Sequence, residues 1–453
     1  MADQGFPHNF LWGVASSSFQ IEGTEPADGR GLSIWDTFAA TPGKIADKGD
    51  GRRACNHYQL WEKDLALMGQ LGIGAYRFSI AWPRILPHGR GTINQRGLDF
   101  YSRLIDGLLA RGIQPWVTLY HWDLPQALED EGGWRVRSTA EAFADYASIV
   151  ATALGDRVQH WITHNEPWCV AVLGHRTGHH APGATNPNEA LRAAHHVLLS
   201  HGLALERLRA IAPKAEHGIT LNLTPAYALD AAQTSQDEAR IFDGDFNRWY
   251  LDPLFRGAYP DDMLRHYEAQ GNLGPDGWDF IAPGDLALMH QPLDFLGVNY
   301  YTRAVFGQHP PPAINPQDTD RITAMGWEIY PEGLGDLLRR LHQEYPARAY
   351  YITENGAAFE DQVHADGCVH DGPRIRYMER HLAEVEAVAA AGVPIQGYFA
   401  WSIMDNFEWA FGYQKRFGLL WVDYETQARI FKDSFHWYRE VVKANRLPRN
   451  VKA

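Results

Sequence analysis

Cysteine is scarce in this chain of 453 residues. Three occur, Cys55, Cys169 and Cys368. An odd count with no Cys-x-x-Cys spacing speaks against a disulfide framework and a structural zinc site. Basic charge is also short: 41 Lys and Arg stand against 55 Asp and Glu, a net charge of −14. Neither nucleic acid nor a membrane is expected as a partner, because phosphate contacts need basic clusters. No apolar run approaches the ~18 residues of a membrane span. The N-terminal Met-Ala-Asp-Gln-Gly-Phe-Pro lacks the basic and apolar regions of a signal peptide. A cytoplasmic protein is the expectation. There is no P-loop and no Gly-x-Gly-x-x-Gly after a strand, which removes the usual occupants of an open doubly wound sheet. A metallohydrolase would need His-x-His at a strand end or His-Glu-x-x-His on a helix, and neither is present.

Apolar and aromatic residues are plentiful: 45% of the chain is hydrophobic and 16 residues are Trp. Short apolar runs alternate with helical stripes along the chain. Runs at Phe10–Ser17, Ala75–Trp82, Pro115–Trp122, up to Asn165-Glu166, Gly218–Leu223, Leu293–Tyr301, up to Glu354, and Ile395–Ser402 read as strands. Between them, spacings of three and four mark helices, as at Tyr58, Trp61, Leu65 and Met68. Ser138 and Glu141 have the spacing of a capping box. Residues 307–326, with three consecutive prolines, read as a loop over a binding face. Apolar strands covered on both faces imply a parallel sheet. Eight such units predict an α/β fold, a single (β/α)8 TIM barrel with enlarged βα loops, as one catalytic domain over 1–453.

In such a barrel the C-terminal strand ends converge on one site. Two of those ends carry glutamates. Tyr351-Ile352-Thr353 leads into Glu354, with Asn355-Gly356 expected to turn the chain; Trp161-Ile162-Thr163-His164-Asn165 leads into Glu166. Gln20, Arg77, His121, Trp122, Asn299, Tyr301, Trp401, Glu408 and Trp409 fall at other strand ends or in the loops after them. Amides and carboxylates bridge sugar hydroxyls, and an indole face covers the C–H side of a sugar ring. Two carboxyls facing one bond are the equipment of glycoside hydrolysis, one protonated and one ionised. Arg77 and Tyr301 are the expected neighbours that keep Glu354 ionised, making it the nucleophile and Glu166 the acid/base.

At these residues the chain resembles glycoside hydrolase family 1, the β-glucosidase family, from Phe10 to about Trp437. The run Phe10-Leu11-Trp12-Gly13-Val14-Ala15-Ser16-Ser17-Ser18-Phe19-Gln20-Ile21-Glu22-Gly23 is similar to the family's N-terminal signature. Asn165-Glu166-Pro167 and Thr353-Glu354-Asn355-Gly356 match its acid/base and nucleophile motifs. The resemblance implies a retaining double displacement through a covalent glycosyl-enzyme, without metal or organic cofactor. It implies a glycone pocket of Gln20, His121, Asn165, Glu408 and Trp409, floored by Trp401, with Asn299 near the 2-hydroxyl and Tyr301 on the nucleophile. The aglycone would lie in a slot between Trp168 and Trp327, with His180 a weaker candidate there. Members acting on 6-phosphosugars place Ser where this chain has Glu408, and a carboxylate would repel a phosphate dianion. The thioglucosidase branch replaces the acid/base Glu with Gln; here Glu166 is intact.

The expected activity is exo-acting hydrolysis of terminal β-D-glucosyl units, with some β-galactoside or β-fucoside activity. Small β-glucosides or oligosaccharides, cellobiose among them, are the expected partners, and the reading leaves a homo-oligomer open. A 6-phospho-β-glycosidase and a sugar-binding pseudoenzyme are the rival readings. The histidines at 195, 196 and 201 read as helix-surface or packing residues, Trp61 and Trp437 as core, and Lys415 as structural.

Overall fold

The computed structural model describes residues 5–24, 28–308 and 313–448. Eight parallel strands close a barrel in chain order: β1 (Leu11–Ala15), β2 (Ala75–Ser79), β3 (Gln114–Tyr120), β4 (His160–Asn165), β5 (Glu216–Asn222), β6 (Phe295–Asn299), β7 (Tyr350–Asn355) and β8 (Ile395–Trp401). Alternate residues on each strand face opposite ways. One set, with Trp116, Phe295, Tyr351 and Phe399, forms an aromatic cluster of its own; Trp116 lies 4.5 Å from Tyr351 and 5.1 Å from Phe399. Their neighbours Val117, Leu296, Ile352 and Tyr398 belong to the larger core shared with the helices.

The expected helices are present, among them His57–Leu71, Gln95–Leu109, Arg137–Leu154, Pro187–Ile211, Pro331–Glu344, Gly372–Ala390 and Asp433–Ala444. Most strands are shorter than their apolar runs. The second run ends as strand at Ser79, and Trp82–Ile85 is a short helix with Pro83 in its first turn. Ser138 and Glu141 form no capping box. The helix begins at Arg137 after Val136, so Ser138 already lies inside it, and no side chain caps that end. Residues 309–312 of the expected 307–326 loop lie outside the described part; Ala304–Phe306 just before it pairs with Ala226–Ala228. Phe6 N–H donates to Asn445 O at 3.1 Å and Trp12 Nε1 to Asn445 Oδ1 at 2.9 Å, so the segment leading into β1 is tied to the residue that follows helix Asp433–Ala444.

Strand register brings the polar residues to one level. Ala15 stands opposite both Trp401 and Arg77, and Asn299 opposite both Asn222 and Glu354. Among the ladders that slip at this level are β4 on β5 between Ile162 and Asn165, and β6 on β7 at Val298/Asn299. Such irregularities re-aim side chains, and these two flank Glu166 and Glu354.

Gly356 does not turn the chain as expected. The residues after Asn355 form no hydrogen-bonded turn. A Cβ at Gly356 would lie 1.8 Å from Trp401 O, so the glycine lets β7 and β8 approach. Asn355 is a buried anchor instead, donating to Tyr300 O at 2.8 Å and accepting from Tyr398 Oη at 2.9 Å.

Among the described residues, no helix is long and apolar enough to cross a membrane.

Candidate active site

At the C-terminal end of the barrel opens a cavity of about 1000 Å³, lined by both Glu166 and Glu354. Glu354 closes β7. Its Oε1 accepts from Arg77 Nη1 at 2.5 Å and its Oε2 from Tyr301 Oη at 2.6 Å. Each carboxylate oxygen thus has a donor, one of them a cation, which suits an anion. Arg77 is buried on β2, and its Nη2 donates to Asn165 Oδ1 at 2.5 Å, so one guanidinium ties β2, β4 and β7 together.

Glu166 follows β4 with φ +50, held by its N–H donating to Thr220 O on β5 at 2.9 Å. Asn299 Nδ2 donates to Glu166 Oε1 at 2.6 Å and Cys169 Sγ to Glu166 Oε2 at 3.1 Å. Burial and the nearby Glu354 charge push the Glu166 carboxyl up to about 8; the Asn299 and Cys169 hydrogen bonds work against that rise. Burial likewise raises Cys169 well above the usual thiol range, so it remains an S–H donor. Trp122 (φ +80) and Trp409 (φ +48) share the left-handed backbone of Glu166. Three side chains of the cavity wall thus sit on backbone that non-glycine residues seldom adopt, as functional sites often require.

His121, Trp122, Asn299, Tyr301, Trp401, Glu408 and Trp409 all line the cavity. His121 lies nearly parallel to both Trp401 and Trp409, at 5.9 and 5.8 Å. Burial and then the Arg77 charge depress the His121 imidazole well below its ordinary range, keeping it neutral. Its Nε2 pairs with Asn165 Nδ2 at 3.1 Å, while its buried Nδ1 has no partner. Burial, then the charges of Glu354 and Glu166, push the Glu408 carboxyl up to about 8. Glu408 Oε2 is also buried without a partner. These two buried polar atoms have no hydrogen-bond partner within the protein.

Gln20, Asn165 and Arg77 stand behind the wall rather than on it. The Gln20 amide is anchored and also reaches Glu408: Nε2 donates to Asn406 Oδ1 and Phe407 O, both at 2.9 Å, Oε1 accepts from Ser17 Oγ at 2.6 Å, and a Gln20 hydrogen bond works against the rise of the Glu408 carboxyl. Trp168 and Trp327 line the same cavity, Trp168 packed on Phe246 at 4.2 Å and Trp327 near Tyr301 at 5.3 Å. His180 also lines it, beside Trp35 and Trp122 at 5.2 and 5.3 Å. Lys415 is structural, donating to Ala324 O at 2.6 Å.

The histidine cluster at 195, 196 and 201 is buried, not on a helix surface. His195 pairs with Asp285 at 2.9 Å, His196 with Trp134 O at 2.9 Å and His201 with Thr163 at 2.7 Å. Trp61 and Trp437 pack against the core. Among the described residues, no group of three or more His, Cys, Asp or Glu is arranged to hold a metal ion. Sequence reasoning passed over Cys169 and Thr353, whose Oγ1 donates to Asn299 Oδ1 at 2.8 Å. The signal for Cys169 was its position three residues after Glu166, one turn on.

Two carboxyl groups in unlike settings at the mouth of a parallel barrel define a glycosidase site. The Glycosyl hydrolase family 1 model matches residues 2–447. Beta-glucosidase A of Thermotoga maritima is 46% identical over 448 residues, covering 98% of each chain. The bifunctional beta-D-glucosidase/beta-D-fucosidase of Bifidobacterium breve is 46% identical over 462 residues, covering 96% of this chain and 98% of that one. The structure of the Thermotoga maritima beta-glucosidase in complex with glucoimidazole superposes with a TM-score of 0.91 at 45% identity, covering 98% of this chain and 100% of that one. The chain belongs to glycosyl hydrolase family 1.

Proposed function

We propose that this β-glucosidase removes terminal glucosyl units by a retaining double displacement, with Glu354 as nucleophile and Glu166 as acid/base. The observation that carries the role assignment is the contrast between the two carboxyls. Glu354 takes a guanidinium and a phenol hydroxyl, one on each oxygen, whereas burial beside that charge favours the protonated form of Glu166. In the first step a Glu354 oxygen bonds to the anomeric carbon as the bond to the leaving oxygen breaks, and Glu166 gives that oxygen its proton. In the second, Glu166 takes a proton from water, whose oxygen displaces Glu354 and releases the β-configured sugar. The neutral phenol of Tyr301 and the Arg77 guanidinium steady the carboxylate through both steps.

Glu408 and His121 are the proposed readers of the glucosyl hydroxyls, through their unpartnered Oε2 and Nδ1, with Trp401 and Trp409 beneath the ring. Gln20 and Asn165 support them from behind. Trp168, Trp327 and His180 would flank the leaving group. Short β-glucosides such as cellobiose, some β-galactosides and some β-fucosides are the proposed substrates. The chain would act as one catalytic domain, in the cytoplasm, where its three unpaired thiols remain reduced.

The test is hydrolysis of an activated aryl β-glucoside beside its 6-phosphate and β-galactoside analogues. The glucoside should be cleaved best, the galactoside more slowly. Exclusive cleavage of the 6-phosphate would refute the substrate, and binding without turnover would favour a pseudoenzyme.

A further inference from the structure

Outside the two glutamates the cavity is bounded by a ledge between β5 and β6. Helix Gln233–Asp243 runs through a wide turn at Gly244–Arg248 into helix Trp249–Arg256. Polar anchors hold this ledge rigidly. Asp243 accepts from Arg340 at 2.5 and 2.9 Å and from Arg248 at 3.0 Å. Asp245 accepts from both terminal nitrogens of Arg176 at 2.6 and 2.7 Å and from Tyr267 Oη at 2.7 Å. Asn247 donates to Thr224 O at 2.8 Å and accepts from Thr224 N at 3.0 Å.

The side chains between the anchors are Phe242 and Phe246, one turn apart, half-buried, and both on the cavity wall. Their rings make a row. Phe246 lies 4.2 Å from Trp168, Phe242 5.3 Å from Phe246, and Phe306 5.4 Å from Phe242. Phe306 lies beyond, on a neighbouring hollow that shares Phe242. None of these three phenylalanines belongs to either hydrophobic cluster of the core. Three contiguous aromatic rings left half in water form an apolar patch of the kind that marks ligand sites. Hydroxyls of further sugar units would need free polar partners, and the Arg303 guanidinium at this mouth is already partly committed. Its Nε and Nη2 donate to Glu328 at 2.8 and 2.9 Å, and it lies over the Tyr330 ring.

We propose that Phe246, Phe242 and Phe306 extend the leaving-group side of the site into a platform for aglycones of two or more linked aromatic rings. The proposal rests on the β-glucosidase reading. The first ring lies at Trp168 and the next on Phe246, with edge or offset contact between rings supplying the attraction.

The test compares phenyl β-glucoside with 4-biphenylyl β-glucoside, whose leaving groups are close in basicity, so that the ratio of kcat/KM reads the second ring. Cellobiose and cellotriose form the parallel pair. In the wild type the biphenylyl substrate should exceed the phenyl one by ~10-fold. Phe246→Ala should cut that ratio by ~3- to 10-fold through KM, and Phe246→Leu, which keeps bulk but removes the ring, should also cut it. The cellotriose-to-cellobiose ratio should not move. An unchanged biphenylyl-to-phenyl ratio in both variants would overturn the platform. So would a larger fall in the cellotriose ratio, which would assign the ledge to sugar units. No turnover of either aryl glucoside by the wild type would instead sink the β-glucosidase reading itself.

Discussion

Asn299 Nδ2 stands 2.6 Å from Glu166 Oε1 and 3.0 Å from Asn165 Oδ1, so both hydrogens of this amide are committed before any ligand arrives. A sugar hydroxyl that took the hydrogen given to Glu166 would remove one donor from that carboxyl. Losing that donor favours the protonated carboxyl, the form an acid needs. Filling of the glucosyl pocket is therefore expected to bear on the readiness of the acid through Asn299.

Cys169 offers the cleanest check on this balance, because its thiol is the donor to the other Glu166 oxygen. With Cys169→Val the carboxylate form loses a hydrogen bond, so the alkaline limb of kcat/KM should move up. One hydrogen bond corresponds to roughly 0.4 to 1 pH unit. Cys169→Ser, which restores a donor, should bring the limb back. A downward move would contradict the assignment. The measurement is a pH profile on an aryl β-glucoside.

Stability should carry the same signature. Glu166 and Glu408 are both raised to about 8 in the folded protein. Unfolded, they titrate near the ordinary glutamate value of ~4.3. Between those limits the folded state binds more protons, so unfolding free energy falls as pH rises from about 4.5 to 8. Glu408→Gln should flatten part of this decline. Tm followed across that range checks it, and a steeper decline in the variant would contradict the sign.

Glu408 should also decide between plain and phosphorylated sugars. Glu408→Ser removes a carboxyl group that fills the place a 6-phosphate would need, and that repels it once ionised above about pH 8, together with the unpartnered Oε2. It should lower kcat/KM for the aryl glucoside by ~100-fold while improving the 6-phosphate in relative terms. Equal losses on both substrates would mean that Glu408 is only structural.

Much of this was legible in the sequence, for identifiable reasons. The eight apolar runs fix eight strands because each must be buried on both faces, and Glu166 and Glu354 announce themselves as acids ending such runs. What stayed hidden depends on contacts between distant segments. The ladder slips beside the two glutamates, the left-handed backbone at Glu166, and the role of Gly356 against Trp401 O have no local signal. Ser138 and Glu141 had the right spacing, yet the helix starts at Arg137 and leaves them no cap to form. Phe242 and Phe246 carry no signal in the sequence, and only their place on the cavity wall separates them from core residues.

The Gly356 contact has a direct consequence. Gly356→Ala would drive a methyl into the β8 backbone, where nothing flexible can yield. Overpacking of this kind costs about 1–3 kcal/mol, and here it also displaces Glu354. Tm and kcat should fall together, and an unchanged kcat would show that the strand end tolerates the shift.

The roles of the two glutamates are tested most directly by azide rescue with product stereochemistry. In Glu354→Gly, azide takes the place of the missing carboxylate and should give the α-glucosyl azide from an activated β-glucoside. In Glu166→Ala, the glycosyl-enzyme still forms on Glu354, and azide attacking its other face should give the β-glucosyl azide. The reverse pair of products would contradict the assignment of nucleophile and acid/base.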